Sequence, residues 1–142
     1  MSDPTAQPPA RHGRTRVAPR VRRGETTRFT VDGQKGYLIS GLNPDGELGE
    51  VSLRMAKQGS TLAGATDALG IAISAGLQAG APLREFVAEF ANTRFAPAGR
   101  TDDPDLPYAT SITDYVARRL AVDLLPPEQR AGLGIATNRR PL

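Results

Sequence analysis

Three groups of residues in this chain have types and spacings that could do chemistry. Lys57-Gln-Gly-Ser-Thr61 offers an amine, a flexible glycine and two hydroxyls just ahead of an apolar period that starts a helix. Free backbone N–H groups and the positive dipole end at a helix start attract phosphate, so Lys57, Gly59, Ser60 and Thr61 form a candidate nucleotide or phosphate cradle. The lysine precedes the glycine, which is not the Walker A order. A plain helix start, with Ser60 as N-cap, is the competing reading. Asp102, Asp103 and Asp105 could gather a hard cation through oxygen ligands. Counted as a calcium loop from Asp103, the fifth and sixth positions fall on Pro107 and Tyr108, which rejects the match; the acids read as turn and solvation residues, with Asp-Pro setting a bend. Arg118 and Arg119 read either as anion contacts or, more simply, as a solvated helix face.

What is missing narrows the field further. The 142 residues include no Cys and one histidine, His12. Thiol nucleophiles, thiolate metal sites, disulfides and Ser-His or Cys-His systems are therefore excluded from the folded part. No apolar run approaches the roughly 20 residues that cross a bilayer, and the polar, proline-rich start has no signal core, so the expected compartment is the cytoplasm, with no membrane contact.

The elements that must position these residues are legible in the pattern. Residues 1–24 hold six arginines against Asp3, a charge of +5, while the remaining 118 residues carry −2. With four prolines and no apolar period, this arm is expected to be disordered, and it could track a nucleic-acid backbone or act as a solubilising leader. From Arg28 three extended runs follow, Arg28–Val31, Tyr37–Leu42 and Glu50–Met55, separated by Asp32-Gly33 and Asn43-Pro-Asp-Gly46; Asp-Gly between such runs signals hairpins. The period then changes to 3.6. Leu62, Ala65, Leu69, Ile73 and Leu77 make one helical stripe, ended near Gly80, and Gly64, Gly70 and Gly76 within it imply close backbone packing. Leu83, Phe86, Val87 and Phe90 form a second helix after Pro82. Residues 92–107, with three prolines and no period, are expected to be a long ordered loop or a lid. A third helix starts at Ser111, with Ile112, Tyr115, Val116, Leu120 and Leu124 as its stripe, and stops at Pro126-Pro127. Ser111 and Asp114 stand three apart, a near capping box in which the acid would reach back to the cap amide. The expected fold is α+β: a three-stranded antiparallel meander followed by three helices packed on one face, spanning residues 25–135, with a frayed end from Gly132 and a tail at 136–142. Helices on one face leave the other face or an edge exposed, and an uncovered edge would invite self-pairing or a partner strand.

The strings Met55-Ala-Lys-Gln-Gly-Ser-Thr-Leu-Ala-Gly64, Asp67-Ala-Leu-Gly70, Ala72-Ile-Ser74 and Gly76-Leu-Gln78 occur in order with a second set. That set is Arg94-Phe-x-Pro-x-Gly-x-Thr-Asp-Asp-Pro-Asp105, Ser111-Ile-x-Asp-Tyr-Val-x-Arg-Arg-Leu-Ala121 and Leu125-Pro126. Together they resemble the C-terminal TSCPD domain of class II, adenosylcobalamin-dependent ribonucleoside-diphosphate reductases over about residues 25–135. The name motif, Thr-Ser-Cys-Pro-Asp, stands here as Thr110-Ser-Ile-Thr-Asp114, so the capping residues survive and the cysteine does not. The resemblance implies that the cobalamin site, the radical cysteine and the reducing cysteine pair belong to a large barrel ahead of this domain, and that a cysteine-rich tail follows it in related enzymes. Without a thiol this chain is not expected to turn over by itself or to touch cobalamin. It is expected to be a non-catalytic accessory or regulatory domain that docks on a class II catalytic chain or self-associates. Three readings stand beside that one: a nucleotide or phosphate sensor at Lys57–Thr61, nucleic-acid binding through the arm, and a decayed paralogue kept for another contact.

Overall fold

The computed structural model describes residues 18–56 and 59–135. Expectations for most of the arm, for Lys57 and for the tail from residue 136 lie outside these residues.

Three strands form one antiparallel sheet in the order β1 (Gly24–Val31), β2 (Gln34–Leu42), β3 (Leu48–Met55). The β1–β2 turn is Asp32-Gly33, with φ of 50° and 78°, so both central residues are left-handed, as a two-residue hairpin matching strand twist requires. Alternation then sorts the side chains. Phe29, Val31, Leu38, Val51, Leu53 and Met55 are buried on the inner face. Arg28, Tyr37 and Arg54 are paired across the three strands and share the outer face. The strands run two to four residues beyond the apolar runs at several ends, because polar residues such as Gln34 and Lys35 are held by pairing rather than by burial.

Four helices follow: α1 (Thr61–Gln78), α2 (Leu83–Phe90), α3 (Ile112–Leu124) and α4 (Pro127–Gly132). In α1 the buried face is Thr66, Gly70, Ile73 and Leu77, whereas Ala65, expected in the stripe, is exposed. The helix is rotated because it rides on backbone. A Cβ on Gly70 would lie 3.1 Å from the Val51 carbonyl oxygen and 3.2 Å from the Leu53 nitrogen. One turn on, Ser74 Oγ accepts from Val51 N–H at 2.8 Å and donates to the Val51 carbonyl at 2.9 Å, standing in for a fourth strand. Gly76 is likewise filled by the Phe86 ring, but a Cβ on Gly64 would meet open space, so close packing explains two of the three helix glycines.

The β3 edge is therefore covered at Val51, and of the two expected openings, the other sheet face or an edge, it is the face that carries exposed Tyr37 and Ile39. The end of β1 is covered too: Val31 bridges Thr101, Asp32 N–H donates to the Arg100 carbonyl, and Thr30 N–H donates to Asp102 Oδ1 at 2.8 Å. Residues 92–107 are an ordered loop rather than a lid. A short pair, β4 (Gly99–Arg100) and β5 (Tyr108–Ala109), closes the loop on itself. α3 packs under the sheet through Tyr115, stacked on Phe29 at 4.6 Å, and α2 packs against α3. The expected fraying from Gly132 does not begin there: Pro127 opens α4 at the position where a missing N–H costs nothing, and Ile135 beyond it is buried. Among the described residues no helix is long and apolar enough to cross a membrane.

Candidate functional site

The residues singled out in the name motif gather at the start of α3. Ser111, extended at the N-cap, accepts from Asp114 N–H at 2.9 Å, the first half of the expected box. The second half differs. Asp114 reaches past the cap amide to accept from Thr110 N–H at 3.0 Å and from Asn92 N–H at 2.6 Å, while Arg118 Nε donates to it at 2.8 Å. Asn92 adopts a left-handed φ of 68° that suits asparagine, and its side chain accepts from Arg118. The hydroxyls of Thr93, Ser111 and Thr113 are joined in one cluster beside it. Burial alone would push the Asp114 carboxyl upward; the Arg118 donor and the two amides outweigh it and hold the group below its ordinary 3.8. Ile112, in the position of the motif's cysteine, is completely buried.

A second network lies one turn on. Arg119 is 3% exposed, and its guanidinium donates to Asp103 Oδ2 at 2.8 Å, Asp105 Oδ2 at 3.1 Å and Asp123 Oδ1 at 2.6 Å. The Tyr115 hydroxyl donates to the same Asp103 oxygen at 2.7 Å. Burial and the hydrogen bond to Asp103 push the Tyr115 phenol well above its ordinary range. Burial favours the neutral form of Arg119, but the bonds to Asp123 and Asp103 prevail and keep it cationic. These contacts overturn two readings made from sequence. Asp103 does set the turn, its Oδ1 accepting from Asp105 N–H at 2.9 Å, but Asp103 and Asp105 are not solvation residues, and Arg119 is not on a solvated face. Asp102 stands apart from them, capping the β1 edge.

The third group belongs to another element. Ser60 caps α1, accepting from Ala63 N–H at 3.0 Å, and Gly59 takes a left-handed φ of 76° before it. Beside them is an open cavity of about 570 Å³ whose lining includes Tyr37, Arg54, Gly64 and Asp67.

Among the described residues no group of three or more His, Cys, Asp or Glu could hold a metal ion, and no buried side-chain nitrogen or oxygen lacks a partner. The carboxylates that could have gathered a cation gather Arg119 instead. Asp114, Arg118 and the Thr93–Ser111–Thr113 hydroxyls tie the 92–110 segment to the start of α3. Sequence reading weighed Arg119 as an anion contact but favoured a solvated face, took Tyr115 only as part of an apolar stripe, and missed Asp123, Asn92 and Thr93. One available signal was the apolar run Ala117, Leu120, Ala121 and Val122 around Arg119, which left no solvated side for it.

The TSCPD domain model matches residues 7–124. The chain belongs to the TSCPD domain family. The match begins inside the arginine-rich arm and stops at the last residue of α3. The chain is 58% identical over 117 residues to the vitamin B12-dependent ribonucleotide reductase of Streptantibioticus cattleyicolor, which covers 82% of this chain and 20% of that protein. The same identity and span relate it to the reductase of Streptomyces coelicolor, covering 12% of that protein. The reductase of Rhodopirellula baltica is 43% identical over 107 residues, 75% of this chain and 10% of its own length. The chain thus spans a fifth or less of the curated relatives it matches. No solved structure matches it. Within the family, the motif residues that this fold places are Ser111 and Asp114 as the α3 anchor, Asp103 and Asp105 around Arg119, and Ser74 and Gly70 on the β3 edge.

Proposed function

We propose that this TSCPD domain is a non-catalytic accessory module of a vitamin B12-dependent ribonucleotide reductase, working in the cytoplasm in deoxyribonucleotide synthesis by docking on the catalytic chain. One observation carries the reading: the chain is 58% identical to part of such reductases and has no thiol anywhere in its sequence, and among its described residues no buried side-chain nitrogen or oxygen lacks a partner. Radical chemistry on ribose must then come from the partner. The cofactor named for the relatives is held by that partner in this reading. A nucleotide-sensing role for Gly59, Ser60 and Thr61 has less support, since the Ser60 hydroxyl already caps α1 and Asp67 lines the same cavity.

The test is co-purification of the full chain with the reductase of its own cell, followed by turnover assays. Association together with a changed rate of deoxyribonucleotide formation is expected. Absence of both, or turnover by this chain alone, overturns the reading.

A further inference from the structure

The outer face of the sheet leaves Tyr37 and Ile39 exposed side by side on the central strand. It has a defined chemistry. Arg28, Tyr37 and Arg54 stand in one row across β1, β2 and β3, and Thr26, Ile39 and Ser52 make the next. Tyr37 is 41% and Ile39 37% exposed, on the central strand of an otherwise buried core. Lys35 extends the same side of β2. At the other end Glu50 is neutralised by a two-pronged contact from Arg22 at 2.6 and 2.7 Å, and its side chain lies across Gly41. Among the described residues no ion pair engages Arg28, Lys35 or Arg54, which leaves the face with three free cations around two apolar side chains.

Charge decides what covers it. A second copy meeting it face to face would set these cations against themselves. Neither end of the chain beyond the described residues is complementary: the first 17 residues carry Arg11, Arg14 and Arg16 against Asp3, and the last seven carry Arg139 and Arg140 with no acid. Single-stranded nucleic acid would find only one stacking ring here, with aliphatic Ile39 where a second base would lie. An acidic protein surface with an apolar centre satisfies both the cations and the two exposed apolar groups.

We infer that the outer sheet face, centred on Tyr37 and Ile39 and flanked by Arg28 and Arg54, is the surface by which this domain docks on an acidic patch of the reductase catalytic chain. This rests on the docking reading above and adds the place and the chemistry of contact. The cavity beside Tyr37 and Arg54 continues the face and, with Asp67 in its lining, offers a seat for one protruding uncharged side chain of the partner at the edge of the acidic contact.

The experiment uses the full chain in its own host with a photoreactive p-benzoylphenylalanine in place of Ile39 or, as a control, of Ile71, which is 67% exposed on α1. Expected is a cross-link from position 39 to an Asp- or Glu-rich peptide of the reductase, and none from position 71. R28E/R54E should weaken co-purification at least tenfold, R28K/R54K should retain most of it, and rising salt should weaken the wild-type complex. Co-purification with cross-linking only at position 71, or with R28E/R54E binding as wild type, overturns the face and leaves the docking reading standing. No co-purification at all removes both. Binding of an oligo-dT probe that is lost in R28E/R54E, with no reductase adduct, assigns the face to nucleic acid and overturns the proposal.

Discussion

Arg119 and Arg54 are the same residue type put to opposite uses. Arg119 is buried on α3 and donates to three carboxylates drawn from the helix itself and from the loop before it. Arg54 is exposed on β3, in a row with Arg28 and Tyr37, with no acid of its own. The two regions divide the labour of charge. Inside, one cation is paired with three carboxylates, and the pairing fixes one arrangement of loop and helix. Outside, it makes no ion pair among the described residues, is screened by water, and is available to a partner.

The sharpest way to break that contrast is to remove the buried cation. R119A would leave Asp103 and Asp123 buried without their counter-ion, and losses of this type run to about 3–5 kcal/mol. Chemical denaturation should show a loss in that range, with the 92–110 segment becoming sensitive to protease. A loss near zero would mean that water reaches the carboxylates and that the network is not a staple.

Next in size is the seam between α1 and β3. S74A takes the only hydrogen-bond partner that α1 supplies to Val51, orphaning an N–H and a carbonyl in a residue that is 4% exposed. The expected cost is about 1–3 kcal/mol by the same measurement. Amide exchange at Val51 should accelerate with it. If exchange does not change, the β3 edge is protected by burial and not by the hydroxyl.

The two titratable members of the α3 networks separate by pH. Asp114 has a folded value below its ordinary 3.8, so its contribution is present above about that pH and is lost as pH falls through the lower folded value. Tyr115 is raised above its ordinary 10.0, so its contribution is intact below pH 10 and is lost as pH rises beyond it, where only the unfolded chain ionises easily. Melting profiles should therefore show D114N flattening the acid limb and Y115F flattening the alkaline limb. An exchange of these effects, or none, would contradict the hydrogen bonds on which they rest.

How much of this was legible depended on whether the cause was local. The meander was readable because Asp32-Gly33 and Asn43-Pro-Asp-Gly46 carry turn chemistry in their own residues, and the Ser60 and Ser111 caps because an N-cap bonds within three positions. The rotation of α1 was not, since Gly70 and Ser74 face a strand about twenty residues earlier and only that strand's backbone explains them. Arg119 was misplaced for a similar reason. Its acids are four, fourteen and sixteen residues away, and only the first spacing belongs to a helix. Pro126-Pro127 ended α3 as expected, yet the second proline also opened α4, a use that the stop signal hides.

The smallest effect on stability sharpens the contrast most. R28E/R54E changes two exposed side chains that make no ion pair among the described residues, and surface changes of that sort stay within about 0.5 kcal/mol. Its melting temperature should match wild type while its association with the reductase collapses. R119A should behave in the reverse sense: a large loss of stability, with docking kept in whatever fraction remains folded, because the outer face is formed by β1, β2 and β3 without Arg119. If R28E/R54E instead lowered the melting point as R119A does, the outer cations would be part of the fold's own electrostatics, and the division between paired charge within and available charge without would fail.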